Sequence, residues 1–160
     1  PYLYKRLALE KPDYPGLRKG ILAFGGIATI TMLGLIAVTP LVFKYFVGDA
    51  FKPGQKYAIY LVISFFFWAI YNMLLPFLLN KKKNKLIMSI SIVGMLLSIG
   101  LNFYNVRHFG ALGATYTSIA VFATMCLLTL YSVHKIYNLK DIFLGRENGG
   151  SLQNSTPAKR

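Results

Sequence analysis

Asn72 and Asn102 are the most polar side chains inside two long stretches that otherwise carry no charge. A carboxamide both donates and accepts hydrogen bonds. In apolar surroundings it must therefore either bond a neighbouring segment or face a polar space, and both readings stay open for each residue. Tyr60, Tyr71, Tyr104 and Tyr131 lie mostly near the ends of such stretches, and Thr29 and Thr31 can bond back to their own helix. Other chemistry has no candidates. There is no Ser/His/Asp set, paired-carboxylate pattern or Gly-rich phosphate loop, so catalytic residues are none and no enzyme is expected. Cys126 is the only cysteine, which excludes an internal disulfide and reads as a small packing residue. No CxxC or HxxxH spacing occurs, so neither a metal nor a cofactor is expected.

The elements that must position these residues follow from where the charges fall. The chain has 160 residues, of which 18 are Lys or Arg and 5 are Asp or Glu. All 23 lie between or outside four windows, 20–43, 57–80, 86–106 and 109–133, of 24, 24, 21 and 25 residues. A helix needs about 20 apolar residues to cross a hydrocarbon core of roughly 30 Å. Four such windows exclude an ordinary soluble domain. Barrel strands would alternate apolar and polar residues, whereas 61–79 and 87–101 are apolar on every face. The expected fold class is all-α: a polytopic membrane protein with four transmembrane helices, about 20–43, 57–80, 86–106 and 109–133.

A net charge of +13 would suggest nucleic acid in a soluble protein. In a membrane protein it reads instead as orientation, and no nucleic-acid partner is expected. With four spans, residues 1–19, the 80–85 loop and the segment after 133 share one side and hold 14 Lys/Arg, against 4 on the other. The positive-inside rule then places both termini in the cytoplasm. Lys81, Lys82, Lys83 and Lys85 are the densest topology signal. They could also attract phosphate headgroups of membrane lipids.

Residues 1–19 read as a cytoplasmic or interfacial segment with no signal peptide, closed by the breaker stretch Lys11-Pro12-Asp13-Tyr14-Pro15-Gly16. The first span ends near Pro40, and Pro76 should kink the inner third of the second. The 80–85 connection is so short that spans two and three must be antiparallel neighbours. A tight turn at 107–110 joins spans three and four, and Arg107 and His108 there either anchor the loop or meet an anion. In 134–145, Ile136, Leu139 and Phe143 recur at helical spacing against Lys135, Lys140 and Asp141, as in a short interfacial helix, and 146–160 has the composition of a disordered cytoplasmic tail. Small residues at four-residue spacing mark where membrane helices meet. Gly94 and Ser98, continued by Asn102, form one such stripe, and Gly110, Ala114 and Ser118 another.

Several of these residues also carry a resemblance. The first span and its exit run Gly34-Leu35-Ile36-Ala37-Val38-Thr39-Pro40, then Phe46-Val47-Gly48-Asp49-Ala50-Phe51. Later come Leu101-Asn102-Phe103 and His108-Phe109-Gly110-Ala111-Leu112-Gly113-Ala114. The second set resembles the "LNf…yGalGAa" junction between the last two helices of polysaccharide biosynthesis proteins. These are the oligosaccharide flippases (O-antigen type) of the multidrug/oligosaccharidyl-lipid/polysaccharide exporter superfamily. Pro1-Tyr2-Leu3-Tyr4-Lys5 is similar to the close of their preceding helix, and the short basic 80–85 connection falls where theirs does. The resemblance spans about residues 1–138 and rests on the order of several weak motifs. The chain departs from it at Asn105-Val106-Arg107-His108, which lacks the usual Pro before the aromatic-Gly pair.

The resemblance implies a twelve-helix, two-lobe transporter working by alternating access, of which this chain would be the last four helices. The remaining eight helices of the same polypeptide would then be its nearest partners. The substrate would be an undecaprenyl-diphosphate-linked oligosaccharide moved across the bacterial inner membrane for cell-surface polysaccharide. Asn72 and Asn102 would be the candidates for lining its path. A drug/cation antiporter or peptidoglycan-precursor flippase of the same superfamily is the nearest alternative. A stand-alone four-helix scaffold subunit is the alternative of a different class. A small multidrug transporter is disfavoured because no Asp or Glu occurs in the spans. A membrane glycosyltransferase is disfavoured because the outer turn before Gly110 is short.

Overall fold

The computed structural model describes residues 14–137. Four long helices follow one another: α1 Tyr14–Tyr45, α2 Gln55–Asn80, α3 Asn84–Phe109 and α4 Ala111–Tyr137, with a short 3₁₀ helix, Asp49–Gly54, before α2. All four are long and apolar enough to cross a membrane, with mean hydropathies of 2.3, 2.0, 2.1 and 1.7 in their most apolar windows. The apolar character surrounds each helix rather than forming one stripe, as expected where the outer face meets lipid. Among the described residues the fold is all-helical, with four helices that fit a membrane protein.

Each helix extends past the uncharged window that announced it. α1 takes in Arg18, Lys19 and Lys44, α3 takes in Lys85 and Arg107, and α4 takes in Lys135. Their long aliphatic stems let the charge reach water while the backbone stays helical. The breaker stretch before residue 17 does not keep the chain non-helical, because α1 begins at Tyr14 with Pro15 in its first turn, where a missing N–H is harmless. Pro40 does not end α1 either, and the helix continues to Tyr45. Pro76 lies within a continuous α2. Of the segments expected at the ends of the chain, 1–13 and 138–160 lie outside the described residues.

The two connections on either side of α3 are tight and differently built. After α2, the Lys82 N–H bonds the Leu79 carbonyl at 2.9 Å and the Lys83 N–H bonds Leu78 at 3.0 Å. This paired closure is a Schellman motif, and it holds Lys82 at φ 53, a region glycine usually occupies. After α3, a single residue makes the turn. Gly110, at φ 57 and ψ −137, lies between a helix that runs to Phe109 and one that begins at Ala111. Arg107 and His108 are therefore in the last turn of α3, where the Arg107 charge favours the helix dipole, and not in a loop.

α4 is the central helix. It packs extensively against both α2 and α3, α1 packs against α2, and α2 and α3 share little surface. Spans two and three are thus not the close neighbours their short connection suggested. The reason lies in α4, which is built of small residues around much of its circumference, from Gly113 and Thr117 to Ala123 and Cys126. A slim helix lets bulky partners approach on two sides. Cys126 is buried there, in the packing role its sequence context suggested.

The packed core sits toward the end that carries the 81–83 loop. Leu17, Phe77, Leu78 and Val133 are fully buried there, with Leu74, Ile90 and Cys126 alongside. Only its first turns tie α1 to this core. Beyond Ile21 most of its large apolar residues are exposed, and an apolar cleft of about 240 Å³ separates its Phe24–Leu35 stretch from Val62, Phe65, Phe66 and Ala69 of α2. α1 is thus tied to the bundle at the lysine-bearing end and loose at the other.

Candidate functional site

Successive helix residues turn by about 100°, which divides α3 into three faces. Ile90 and Gly94 are buried and Leu97, Leu101 and Asn105 half-buried, forming the face packed on α4. Met88, Ile92, Met95, Ile99 and Phe103 are exposed and apolar. Between these two lies a polar flank, with Ser91 exposed and Ser98 and Asn102 half-buried.

That geometry places the first expected stripe only in part at the helix contact. An exact four-residue repeat drifts by about 40° per step on a helix of 3.6 residues per turn. Gly94 faces α4, where a Cβ would come within 2.6 Å of the Met125 sulfur. Ser98 and Asn102 have rotated off the contact, and both border an open cleft of about 700 Å³ with Phe103 and Arg107. The Asn102 amide donates to Ser98 Oγ over 3.4 Å, a long bond within one helix.

On α4 the expected stripe is displaced by one residue from the packed one. Ala114 is exposed, Ser118 bonds back to the Ala114 carbonyl, and Gly110 is the exposed turn residue. The buried row is instead Gly113, Thr117 and Val121. Gly113 meets the α3 backbone itself, since a Cβ there would lie 2.1 Å from the Asn105 carbonyl oxygen. Directly beside it the Asn105 amide donates to Thr117 Oγ1 at 3.1 Å, while the Thr117 hydroxyl donates to the Gly113 carbonyl at 2.9 Å. A hydrogen bond between membrane helices is worth about 0.6 kcal/mol on average, so this pair fixes register more than it adds stability. Asn105 was not singled out in the sequence because it lies at the very end of the expected 86–106 span, next to the 107–110 turn. Gly113 and Thr117 do show small-residue spacing, in a register adjacent to the one expected.

Asn72 bonds its own helix too, donating to the Trp68 carbonyl at 2.8 Å, and its side chain lies on an exposed face of α2 with Leu61, Phe65 and Trp68. The structure does not bring Asn72 and Asn102 together through any hydrogen bond among the described residues. The end opposite the lysine loop is closed by aromatic rings from three elements. Tyr60 of α2 meets Tyr116 of α4 edge-on at 5.2 Å, and Phe109 at the end of α3 meets Tyr116 at 6.0 Å. His108 stacks on Tyr104 at 4.4 Å and its Nδ1 lies 2.9 Å from the Tyr104 carbonyl, both contacts within α3. Within the core, the Thr129 hydroxyl is fully buried and has no hydrogen-bond partner among the described residues; nothing in the packing around it accounts for this.

Among the described residues no group of three His, Cys, Asp or Glu could hold a metal ion. Lys81, Lys82, Lys83 and Lys85 are all exposed at the α2–α3 connection. The only described ion pair, between Lys52 and Asp49, is at the opposite end of α2. What the arrangement offers is non-covalent: a polar flank with hydroxyl and carboxamide groups on a helix otherwise suited to lipid. Comparison with protein-family models, with curated proteins and with solved structures finds no match for this chain. The class defined by the fold is therefore a membrane protein with four candidate spanning helices.

Proposed function

We propose that the chain forms part of the wall of a polar translocation pathway, in the C-terminal portion of an oligosaccharide-lipid flippase of the bacterial inner membrane. The observation that carries this reading is the Ser98–Asn102 flank. Its groups lie on a helix of membrane-spanning length, off the face packed on α4 and beside an open cleft. Polar groups facing hydrocarbon without partners are unfavourable by several kcal/mol, so such a flank is suited to water, a polar ligand or a further helix. A sugar chain crossing the bilayer meets the same penalty at every hydroxyl, and a cavity wall of hydroxyls and carboxamides offsets it. The ordered motifs around Leu101-Asn102-Phe103 and Gly110-Ala111-Leu112-Gly113 support the assignment to flippases in particular. In this reading both termini are cytoplasmic and the other lobe rocks against this one to alternate access.

The test is made in cells that depend on the protein for surface polysaccharide. Ser98→Leu/Asn102→Leu should lower polysaccharide output about tenfold or more at unchanged protein level, because both polar groups leave the pathway. Ile99→Leu, on the neighbouring apolar face, should leave output unchanged. Full output from the double variant would remove the flippase reading.

A further inference from the structure

The α2–α3 connection concentrates positive charge more than any other described part of the chain. Lys81, Lys82, Lys83 and Lys85 are exposed within five residues, and their backbone is pinned by the Schellman closure. No Asp or Glu occurs between Asp49 and Asp141. Asp49 is the only carboxylate among the described residues, and it is paired with Lys52 at the far end of α2. Lys82, Lys83 and Lys85, with Asn84, Leu86 and Ser89, line an open cleft of about 690 Å³.

What lies beyond the cleft decides the ligand. Along α3 from Lys85, Met88, Ile92, Met95, Ile99 and Phe103 follow at three- and four-residue steps, with exposures of 65%, 42%, 55%, 64% and 76%. They form an unbroken apolar track on one helix face. At about 1.5 Å per residue, the ten residues from Lys85 to Met95 cover about 15 Å, half of a hydrocarbon core of roughly 30 Å. The track is as long as one leaflet is deep.

We propose that this loop and track hold an anionic phospholipid, with its headgroup phosphate on Lys82, Lys83 and Lys85 and one acyl chain along Met88, Ile92 and Met95. A soluble anion would use the lysines and have no use for the track. A zwitterionic lipid would use the track and gain less from Lys82, Lys83 and Lys85, because its own cationic group offsets its phosphate. The site requires only that α3 crosses a membrane, so it stands or falls independently of the flippase reading.

The experiment is native mass spectrometry of the full chain with equimolar phosphatidylglycerol and phosphatidylcholine. Adducts should favour phosphatidylglycerol by about tenfold, the scale set by several lysines near one phosphate, and the preference should weaken as salt rises. Lys82→Gln/Lys83→Gln/Lys85→Gln should reduce the preference to near parity. Lys44→Gln/Lys52→Gln/Lys56→Gln, at the other end of the helices, should leave it intact, with helix content by circular dichroism unchanged in both variants. Excess inorganic phosphate should not displace the lipid. Equal adducts of both lipids, a salt-independent preference, or a preference that survives the loop substitutions would overturn the proposal. So would displacement by inorganic phosphate, which would indicate a site for a free anion.

Discussion

Replacing Gly113 by alanine should destabilise the bundle more than any other single added methyl. The new Cβ would lie 2.1 Å from the Asn105 carbonyl oxygen, 2.3 Å from its carbon and 2.7 Å from the Val106 nitrogen. These are backbone atoms of an adjacent helix turn, held by α3's own hydrogen bonds, and they cannot swing aside as a side chain can. Overpacking usually costs about 1–3 kcal/mol, and a clash with a backbone peptide group belongs at the upper end. The displaced backbone would also pull Asn105 from Thr117, removing the one hydrogen bond described between α3 and α4 side chains. Reversible unfolding in mixed micelles should show Gly113→Ala about 3 kcal/mol less stable than the parent protein. Gly94→Ala is the internal comparison. Its Cβ meets only the flexible Met125 side chain, so its loss should be under about 1 kcal/mol, because methionine repacks readily. Equal losses would mean that the α3–α4 contact is not as close at Gly113 as described.

Gly110→Ala should be the second most damaging change, for a different reason. Nothing lies within 4 Å of a Cβ placed there, so space is not the obstacle. The obstacle is the backbone, at φ 57 and ψ −137, a combination that L side chains disfavour by about 1–3 kcal/mol. The turn cannot relax without moving the hairpin, since it spans one residue and is fixed by Gly110 N–H to Val106 and Gly113 N–H to Gly110. A loss of about 2 kcal/mol in the same unfolding assay is expected. D-Alanine, introduced by semisynthesis, should restore stability, because the mirror-image residue is at ease in that conformation. If both alanines destabilised alike, crowding rather than backbone conformation would be the cause.

The four helices were legible because lipid-crossing segments must be long and free of charge, and the uncharged windows lie inside the observed helices except at the single-residue turn. Their ends were less legible, because Arg18, Lys44 and Arg107 signal a water boundary without ending a helix. The packing order was not legible from loop length. A short 80–85 loop fixes direction, yet which helix fills the space beside α2 depends on girth, and α4 is the slimmest partner. Gly94 was placed on the contact by spacing alone, whereas the row on α4 was displaced from Gly113 and Thr117 to Gly110, Ala114 and Ser118. One position on a helix is about 100° of rotation, and small residues on nearly every side of α4 leave that rotation undetermined by sequence. Asn102 stands out by polarity in any reading. Its neighbour Asn105, which makes the contact between helices, was passed over because it stands at the end of the expected span, where a polar residue is ordinary.

The most direct measurement of the central claim, that the Ser98–Asn102 flank faces a water-filled path, is accessibility to a membrane-impermeant maleimide. In a Cys126→Ala background, single cysteines are placed at Ser98, Asn102, Ile92 and Met95 and labelled in intact membranes. The account predicts that Ser98→Cys and Asn102→Cys react readily, while Ile92→Cys and Met95→Cys, on the apolar track, stay unmodified. Labelling at Ser98 and Asn102 no greater than at Ile92 would contradict it, placing the flank against lipid or a dry helix contact.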